Sequence, residues 1–518
     1  MANETTPACG GGFSYNEQVL RNYQNYVLAT LLSICGILLS YELFLRIQYE
    51  LSGALADDAL IYLAIGRGIL NGLTPYRDLF ETKPPGIFLL NAVSLALTGN
   101  VGLLKIFQSL TLLLIVGVIQ VGAWLRGNGL QRSERMLALL LGTVFGLLLS
   151  LYTATMAGEG QVESFGAAFA LLALLGLLHY SKRWWGILGI AIAIVMGIGI
   201  KEPFLFSFLA GALVLRIRAR AIALPLIIAL ILGIVILAFL GYLTPYLTIY
   251  LPHMLSTHAV AHVPLLQRSF PLARLILNIT SFSSFLAISV AILLVGTLAA
   301  GFHRTDSHAS FVWAGRVLGG LWLTLLAIGI GGDFYGHHFV FSVPFLGACF
   351  WAFSTAAEER PCPPLRIAMA LFVAFLIGAA VFHSRLDYPS ARKTWEERHK
   401  ELMQVAETVD TIMDRCGFSR YLHLKPKGGG PFAYTRHSPE GPVFTQYSRF
   451  MGFENSPFTD PFKQVLLKTP LILLTDIDAI RMTVVTKRYV RANFSPQPPD
   501  CAGEISSLQK EYSLLFRH

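Results

Sequence analysis

Long apolar runs separated by short polar loops decide the fold class of this chain before any motif is read. About eleven segments reach or approach the roughly 20 apolar residues that a helix needs to cross a bilayer. They cover 27–47, 101–125, 136–156, 164–180, 186–200, 204–217, 221–241, 273–300, 311–330, 339–356 and 367–384. With 54% hydrophobic and 14% charged residues over 518 positions, the chain cannot cover that apolar surface as a soluble globule. Spans in hydrocarbon must satisfy their own backbone hydrogen bonds, so the expected fold is mainly α, a polytopic helical membrane protein. The net charge of +9 does not argue for nucleic acid, because Lys and Arg sit in the short loops where the positive-inside rule expects them. Membrane lipids are the expected surroundings.

Charge also sets the count. The segment 86–99 is too short to span comfortably, and treating it as a dip or a flat helix puts every basic loop on one side. Those loops are 126–135, 181–183, 216–220, 302–308 and the one holding Glu358, Glu359, Arg360 and Arg366. The N-terminal tail, 1–26, is then cytoplasmic, 27–384 forms the membrane module with a long loop at 48–100, and the C-terminus lies outside. Ala54-Leu55-Ala56 resembles a signal-peptidase site, but the run before it is longer than a signal h-region and its leader carries Glu4 and Glu17. The first span is read as uncleaved, and the protein as integral to the cytoplasmic (inner) membrane. Pro203, which has no N–H to donate, predicts a break at Lys201-Glu202-Pro203.

From about Arg385 the composition becomes that of a soluble domain, 385–518, on the extracytoplasmic side. A helix ending near Gly417 is followed by candidate strands at 419–424, 443–448, 470–475 and 512–516, giving an α/β or α+β unit. Cys416 and Cys501 are the two cysteines that this topology places together in an oxidising compartment, and they are expected to pair.

The chemistry concentrates in Ala56–Gly86. That stretch opens with Asp57-Asp58, continues through ALIYLAIGRGILNG, read as an amphipathic helix at the interface, and closes on Lys83-Pro84-Pro85. Ionisable groups at the end of a span point to a functional site. A carboxylate there suits a general base and a nearby ammonium suits a departing phosphate, although a helix cap and a headgroup anchor are the ordinary alternatives. The same face collects Glu159, Glu163, Lys201, Glu202 and Asp333–His338, with Glu163 also suited to the helix N-terminus by the dipole. Adjacent His337 and His338 are poor two-point metal ligands, so no metal site is assigned, and a divalent metal is left open. No phosphate-binding P-loop, nucleophile elbow, zinc-protease or dinucleotide fingerprint occurs, which excludes ATP-driven and common hydrolase chemistry.

The acidic pair, the Gly72-Leu73-Thr74-Pro75-Tyr76-Arg77-Asp78 turn and Lys83-Pro84-Pro85 resemble the first outer loop of polytopic GT-C glycosyltransferases. The similarity is greatest to the bacterial branch related to protein O-mannosyltransferases and lipid A aminoarabinose transferases. It implies Asp57 as catalytic carboxylate, with Asp58 where the family usually has Glu. It also implies Lys83, Lys201 and His338 as donor-phosphate ligands, and Glu163, Tyr76 and His337 around the cavity. Thr82 stands where the aminoarabinose enzymes have an acid, which argues against their metal site. The activity implied is transfer of a sugar from a polyprenyl-phosphate donor to an acceptor that the residues do not specify. A transporter or flippase, or a non-catalytic scaffold, is the alternative, although the internal repeats and midplane charges usual in transporters are missing.

Overall fold

The computed structural model describes residues 15–52, 55–126, 132–255, 293–298, 307–330, 336–359, 372, 388–424, 430–441, 459–474, 484–503 and 513–517. The membrane part is built from α1 (Tyr15–Ser52), α2 (Asp57–Leu70), α3 (Gly86–Thr98), α4 (Gly102–Arg126), α5 (Arg132–Ala157), α6 (Val162–His179), α7 (Trp184–Ile200), α8 (Phe204–Val214), α9 (Ala219–Phe239), α10 (Ser307–Gly329) and α11 (Val343–Glu359). Six helices among the described residues are long and apolar enough to cross a membrane: Asn25–Ser52, Gly102–Arg126, Glu134–Ala157, Val162–His179, Ala219–Phe239 and Ser310–Gly329. The protein is an integral membrane protein. Expected spans 273–300 and 367–384 lie almost wholly outside the described residues. The 339–356 span is divided into a 3-10 turn, Gly336–Ser342, and α11. Helix α3, at 13 residues, is about 20 Å long by its rise per residue, short of the hydrocarbon thickness.

Packing follows the apolar faces. Helices α4, α5, α6, α8 and α11 share one core in which Phe145 stacks on Phe350 with centroids 4.6 Å apart. The indole of Trp351 donates to the carbonyl of Ile119 at 3.2 Å, satisfying its one buried polar atom. Helix α9, by contrast, turns Ile227, Leu230, Ile231 and Phe239 outward, an apolar face that is stable against lipid and not against water. Helices α7 and α8 part where Pro203 was expected to break them.

The C-terminal part is a mixed five-stranded sheet of order β2-β1-β3-β5-β4, with β1 (Arg420–Leu424), β2 (Ser438–Pro439), β3 (Leu471–Leu474), β4 (Phe494–Ser495) and β5 (Ser513–Arg517). Strand β1 runs parallel to β2 and β3, and β5 antiparallel to β3 and β4. The period of two sorts the side chains. Tyr421, Leu471, Leu473, Leu514 and Phe516 face the long helix α12 (Tyr388–Cys416), whose Leu402, Val405, Val409, Ile412 and Met413 form a stripe at helical spacing. Leu422, Leu424, Ile472 and Leu474 face α13 (Thr459–Lys468) and α14 (Val484–Asn493). Candidate strand 443–448 lies outside the described residues, and the two-residue strands β2 and β4 were not anticipated.

Cys416 and Cys501 are bonded, with Cα atoms 5.2 Å apart across a sequence separation of 85. The bond ties the end of α12 to the 3-10 turn Asp500–Ala502. Replacing Cys501 by Ser is expected to lower the stability of this unit by about 2–4 kcal/mol, through loop entropy restored to the unfolded chain. Denaturant unfolding of the full chain, followed by a probe in 385–518, checks it, and an unchanged midpoint contradicts it.

One expectation needs correction. Helix α2 forms as predicted, yet it does not lie half-exposed at an interface: none of Ala59–Ile65 is more than 1% exposed. It shares one core with α12 and with Tyr421, Phe432, Leu471 and Leu473, and Asn71 at its end donates to Ser438 Oγ at 2.9 Å. The reason is that the face expected to meet lipid is covered by the C-terminal sheet domain.

Candidate active site

The site is assembled from five chain segments: the start of α2, the loop 71–85, the start of α6, the break between α7 and α8, and the turn before α11. Asp57 and Asp58 are the first two residues of α2, where the free N–H groups of the first turn favour an acid. The side chain of Asp57 lies outside the described residues. Asp58 is described, partly exposed, and interacts electrostatically with Lys83 and Lys201.

The loop that carries Lys83 is held by its own polar groups. Thr74 N donates to Asp78 Oδ2 at 2.8 Å, and Tyr76 N donates to the carbonyl of Leu79 at 2.8 Å, with Tyr76 in the left-handed region at φ 69. The Tyr76 hydroxyl donates to the carbonyl of Lys83 at 2.8 Å, while its ring, 1% exposed, lies 4.7 Å from Tyr250. Tyr76 was expected to face the cavity. Its burial and its engaged hydroxyl instead make it the support on which Lys83 rests. Beyond Pro84-Pro85, Gly86 touches the backbone of Gly199, so closely that any Cβ there collides with the Gly199 carbonyl. That contact sets the Lys83 loop directly beside the Lys201 break, and only glycine permits it.

The carboxylates of Glu81, Asp58, Glu163 and Glu202 act electrostatically on the Lys83 ammonium. Burial disfavours its charged form, but the carboxylates outweigh burial and hold its pKa above the usual lysine range. Glu81 is 1% exposed; its Oε1 accepts from Thr82 N at 2.8 Å and from Thr82 Oγ1 at 2.9 Å, and its Oε2 has no hydrogen-bond partner among the described residues. Burial raises the pKa of this carboxyl.

On the opposite wall, Glu163 in the first turn of α6 is fully buried and pairs through Oε1 with Lys201. His337 Nε2 lies 3.7 Å from the same oxygen, and the His337 and His338 rings meet edge to face at 4.6 Å. Lys201 Nζ sits 5.2 Å from the Phe341 ring centroid. Glu202, next in sequence, accepts from the Tyr250 hydroxyl. The structure thus brings Asp58, Lys83, Glu163, Lys201, His337 and His338 into one cluster. It adds Glu81 and Tyr250, which the sequence reading did not place in the site, and Glu202, which it placed on the same face without a role. Glu81 carried a signal, an acid two residues before the lysine inside the same stretch; Tyr250 carried none. Glu159 lies elsewhere, against Tyr49. His258, His262 and Asp333–Tyr335 fall outside the described residues.

Donor atoms of Glu163, His337 and His338 lie within 4.8 Å of one another. They fit a divalent metal poorly, because the Lys201 ammonium already holds the carboxylate oxygen nearest His337. Thr82 has its hydroxyl turned to Glu81 and supplies no anionic ligand.

The Glu163–Lys201 pair has a testable cost. Glu163→Ala leaves a buried ammonium without its main partner, which typically costs 3–5 kcal/mol, and the remaining Asp58 interaction puts the expectation at about 3 kcal/mol. The midpoint of thermal unfolding in detergent reads it. A Glu163→Ala, Lys201→Met double variant should recover part of the loss; equal loss in both contradicts the pairing.

The fold is that of a polytopic membrane protein with the GT-C-type architecture. Among solved structures the chain is similar to ArnT from Cupriavidus metallidurans in the apo state, at 15% identity and a TM-score of 0.54, over 92% of this chain and 97% of that one. It is similar also to ArnT from the same organism bound to undecaprenyl phosphate, at 13% identity and a TM-score of 0.52, with the same coverage. At these identities the likeness is one of fold. No family model and no curated protein matches the chain.

Proposed function

We propose that this protein is a membrane glycosyltransferase that moves a sugar from a polyprenyl-phosphate donor to an acceptor hydroxyl on the extracytoplasmic face. The observation that carries the reading is a pair of lysines, the half-buried Lys83 and the buried Lys201, set among carboxylates in a GT-C fold. Undecaprenyl phosphate bound in the ArnT neighbour supports a polyprenyl phosphate as partner here. Nucleotide sugars are made in the cytoplasm, so a transferase working outside draws on a donor dissolved in the membrane.

In the proposed step the acceptor oxygen attacks C1 of the sugar, its proton passes to Asp57 or Asp58, and the bond from C1 to the phosphate oxygen breaks with its electrons going to the phosphate. Lys83 and Lys201, with His338, neutralise the departing prenyl phosphate. Displacement from the face opposite the leaving group inverts the anomeric centre. The Oε2 atoms of Glu81 and Glu163, which have no hydrogen-bond partner among the described residues, are placed to accept from sugar hydroxyls, since a carboxylate oxygen buried without a partner is costly until a ligand supplies one.

Two experiments test the reading. Purified protein given a labelled pool of polyprenyl-phosphate sugars should release free polyprenyl phosphate as sugar leaves; a transporter, flippase or scaffold releases none. For the orientation, cysteine reporters at Asn128 and Gly429 should be protected and accessible from outside, respectively, and equal labelling of both overturns it.

A further inference from the structure

Asp57 and Asp58 head α2, and Glu163 heads α6; Lys83 and Lys201 interact electrostatically with Asp58 and Glu163, and the relative placement of the two helix starts sets the catalytic geometry proposed above. A buried polar network away from the lysines accounts for it. Between α5 and α6 the chain makes a turn at Gly158–Gln161 in which Glu159 and Gly160 both adopt left-handed backbone, at φ 60 and 87. Glu159 is not glycine, and such a conformation persists only where the surroundings hold it.

Those surroundings come from two other helices. Glu50 of α1, 3% exposed, accepts through Oε2 from Glu159 N at 2.5 Å, and through Oε1 it pairs with Arg46 at 2.6 Å. Gln108 of α4, 1% exposed, accepts through Oε1 from Gly160 N at 2.5 Å. Tyr49 donates its hydroxyl to Glu159 Oε1 at 2.7 Å, and Arg46 donates to the carbonyl of Ala154 at 2.8 Å. Both amides of the strained turn are therefore held by buried side chains of neighbouring helices.

The carbonyl of this turn faces the other way. Glu159 O accepts from Ala56 N at 2.8 Å, the amide immediately before Asp57. A Cβ on Gly160 lies 2.9 Å from Ala59 Cβ and 2.9 Å from Leu55 Cδ2, so the turn abuts the first turn of α2 with no room for a methyl group. Two residues further on, the same segment becomes α6 and presents Glu163.

We infer that Glu50, Tyr49 and Gln108 are positioning residues that clasp the Glu159–Gly160 turn and, through its hydrogen bond to Ala56, fix the acids at the start of α2 relative to Glu163. The inference rests on the proposed transferase reading for its catalytic consequence and on the hydrogen-bond geometry for the clasp. None of the three side chains touches the lysine cluster. Loss of the clasp therefore changes the rate of the chemical step and leaves donor binding in place.

The test compares full-length Glu50→Ala, Glu50→Gln and Gly160→Ala proteins in detergent with wild type. Glu50→Ala removes the acceptor for Glu159 N, and about a hundredfold lower kcat is expected from ångström-scale misplacement of the acids, with donor KM within about threefold of wild type. Glu50→Gln keeps a carbonyl oxygen at the same place and should restore kcat to within about tenfold of wild type. Gly160→Ala keeps the side chains of the clasp but is strained at φ 87 and drives a methyl against Ala59 and Leu55, pushing the turn off Ala56, so it should resemble Glu50→Ala, and it carries the test if Glu50→Ala fails to fold.

Amide hydrogen exchange over 55–62 supplies a readout independent of activity. It should speed by about tenfold or more in Glu50→Ala and Gly160→Ala, through freeing of the Ala56 amide and the first turn of α2, and stay near wild type in Glu50→Gln. Exchange unchanged in folded Glu50→Ala and Gly160→Ala overturns the clasp, and faster exchange with unchanged kcat overturns its positioning role. If wild type itself transfers no sugar, the transferase reading fails, and the exchange data alone then decide whether the clasp exists.

Discussion

Asp57→Asn protein is expected to fold, to bind donor lipid nearly as well as wild type, and to transfer sugar about a thousandfold more slowly. The amide keeps the size of the carboxylate and loses its ability to take a proton, and general-base contributions run to about 10²–10⁴-fold. Asp58→Asn assigns the roles within the pair. Asp58 interacts electrostatically with both Lys83 and Lys201, so its neutralisation removes charge balance at the cluster and should cost turnover less than loss of the base. If both acids merely cap α2, each amide costs about 1 kcal/mol of stability and the rate per folded molecule stays close to wild type. Initial rates normalised to folded protein, measured beside donor affinity, separate the two readings. A near wild-type rate in Asp57→Asn rejects the base, and a larger loss in Asp58→Asn moves the role one residue along the helix.

Lys83→Ala should weaken donor binding by about a hundredfold and depress turnover as well, because the prenyl phosphate is anionic before and after the bond breaks. The variant is severe for a second reason: Glu81, 1% exposed, loses the ammonium that stands against its burial. Lys83→Arg keeps the charge on a broader group and should retain more binding than Lys83→Ala. Titration with undecaprenyl phosphate is the direct measurement. Equal affinity in wild type and Lys83→Ala means the lysine faces headgroups and not the donor, and it removes the central support for the phosphate site.

What the chain determined by itself is what depends on neighbours close in sequence. Apolar runs of membrane length became helices because a backbone away from water has no other partner for its N–H and C=O groups. Pro203 separated α7 from α8, short apolar runs bounded by turns placed β1, β3 and β5, and Cys416 and Cys501, both in the C-terminal unit, are bonded. Asp58, Lys83, Glu163, Lys201 and the two histidines were legible as site candidates because ionisable groups at the ends of apolar runs stand out against them.

What only the tertiary structure decided is which surface covers each group. The apolar faces of α2 read the same whether they meet lipid or protein, and only their packing between α3 on one side and the C-terminal domain on another made Ala59–Ile65 core. Tyr76 passed for a cavity residue until the fold turned its hydroxyl onto the Lys83 carbonyl. The acids divide in the same way: Glu163 pairs with Lys201, while Glu159, four residues earlier, faces Tyr49 and sits in a turn whose backbone Glu50 holds. A carboxylate's role follows from the group set against it, and here that partner lies 38 residues away for Glu163 and 110 for Glu159, a distance at which sequence pattern carries no information about contact.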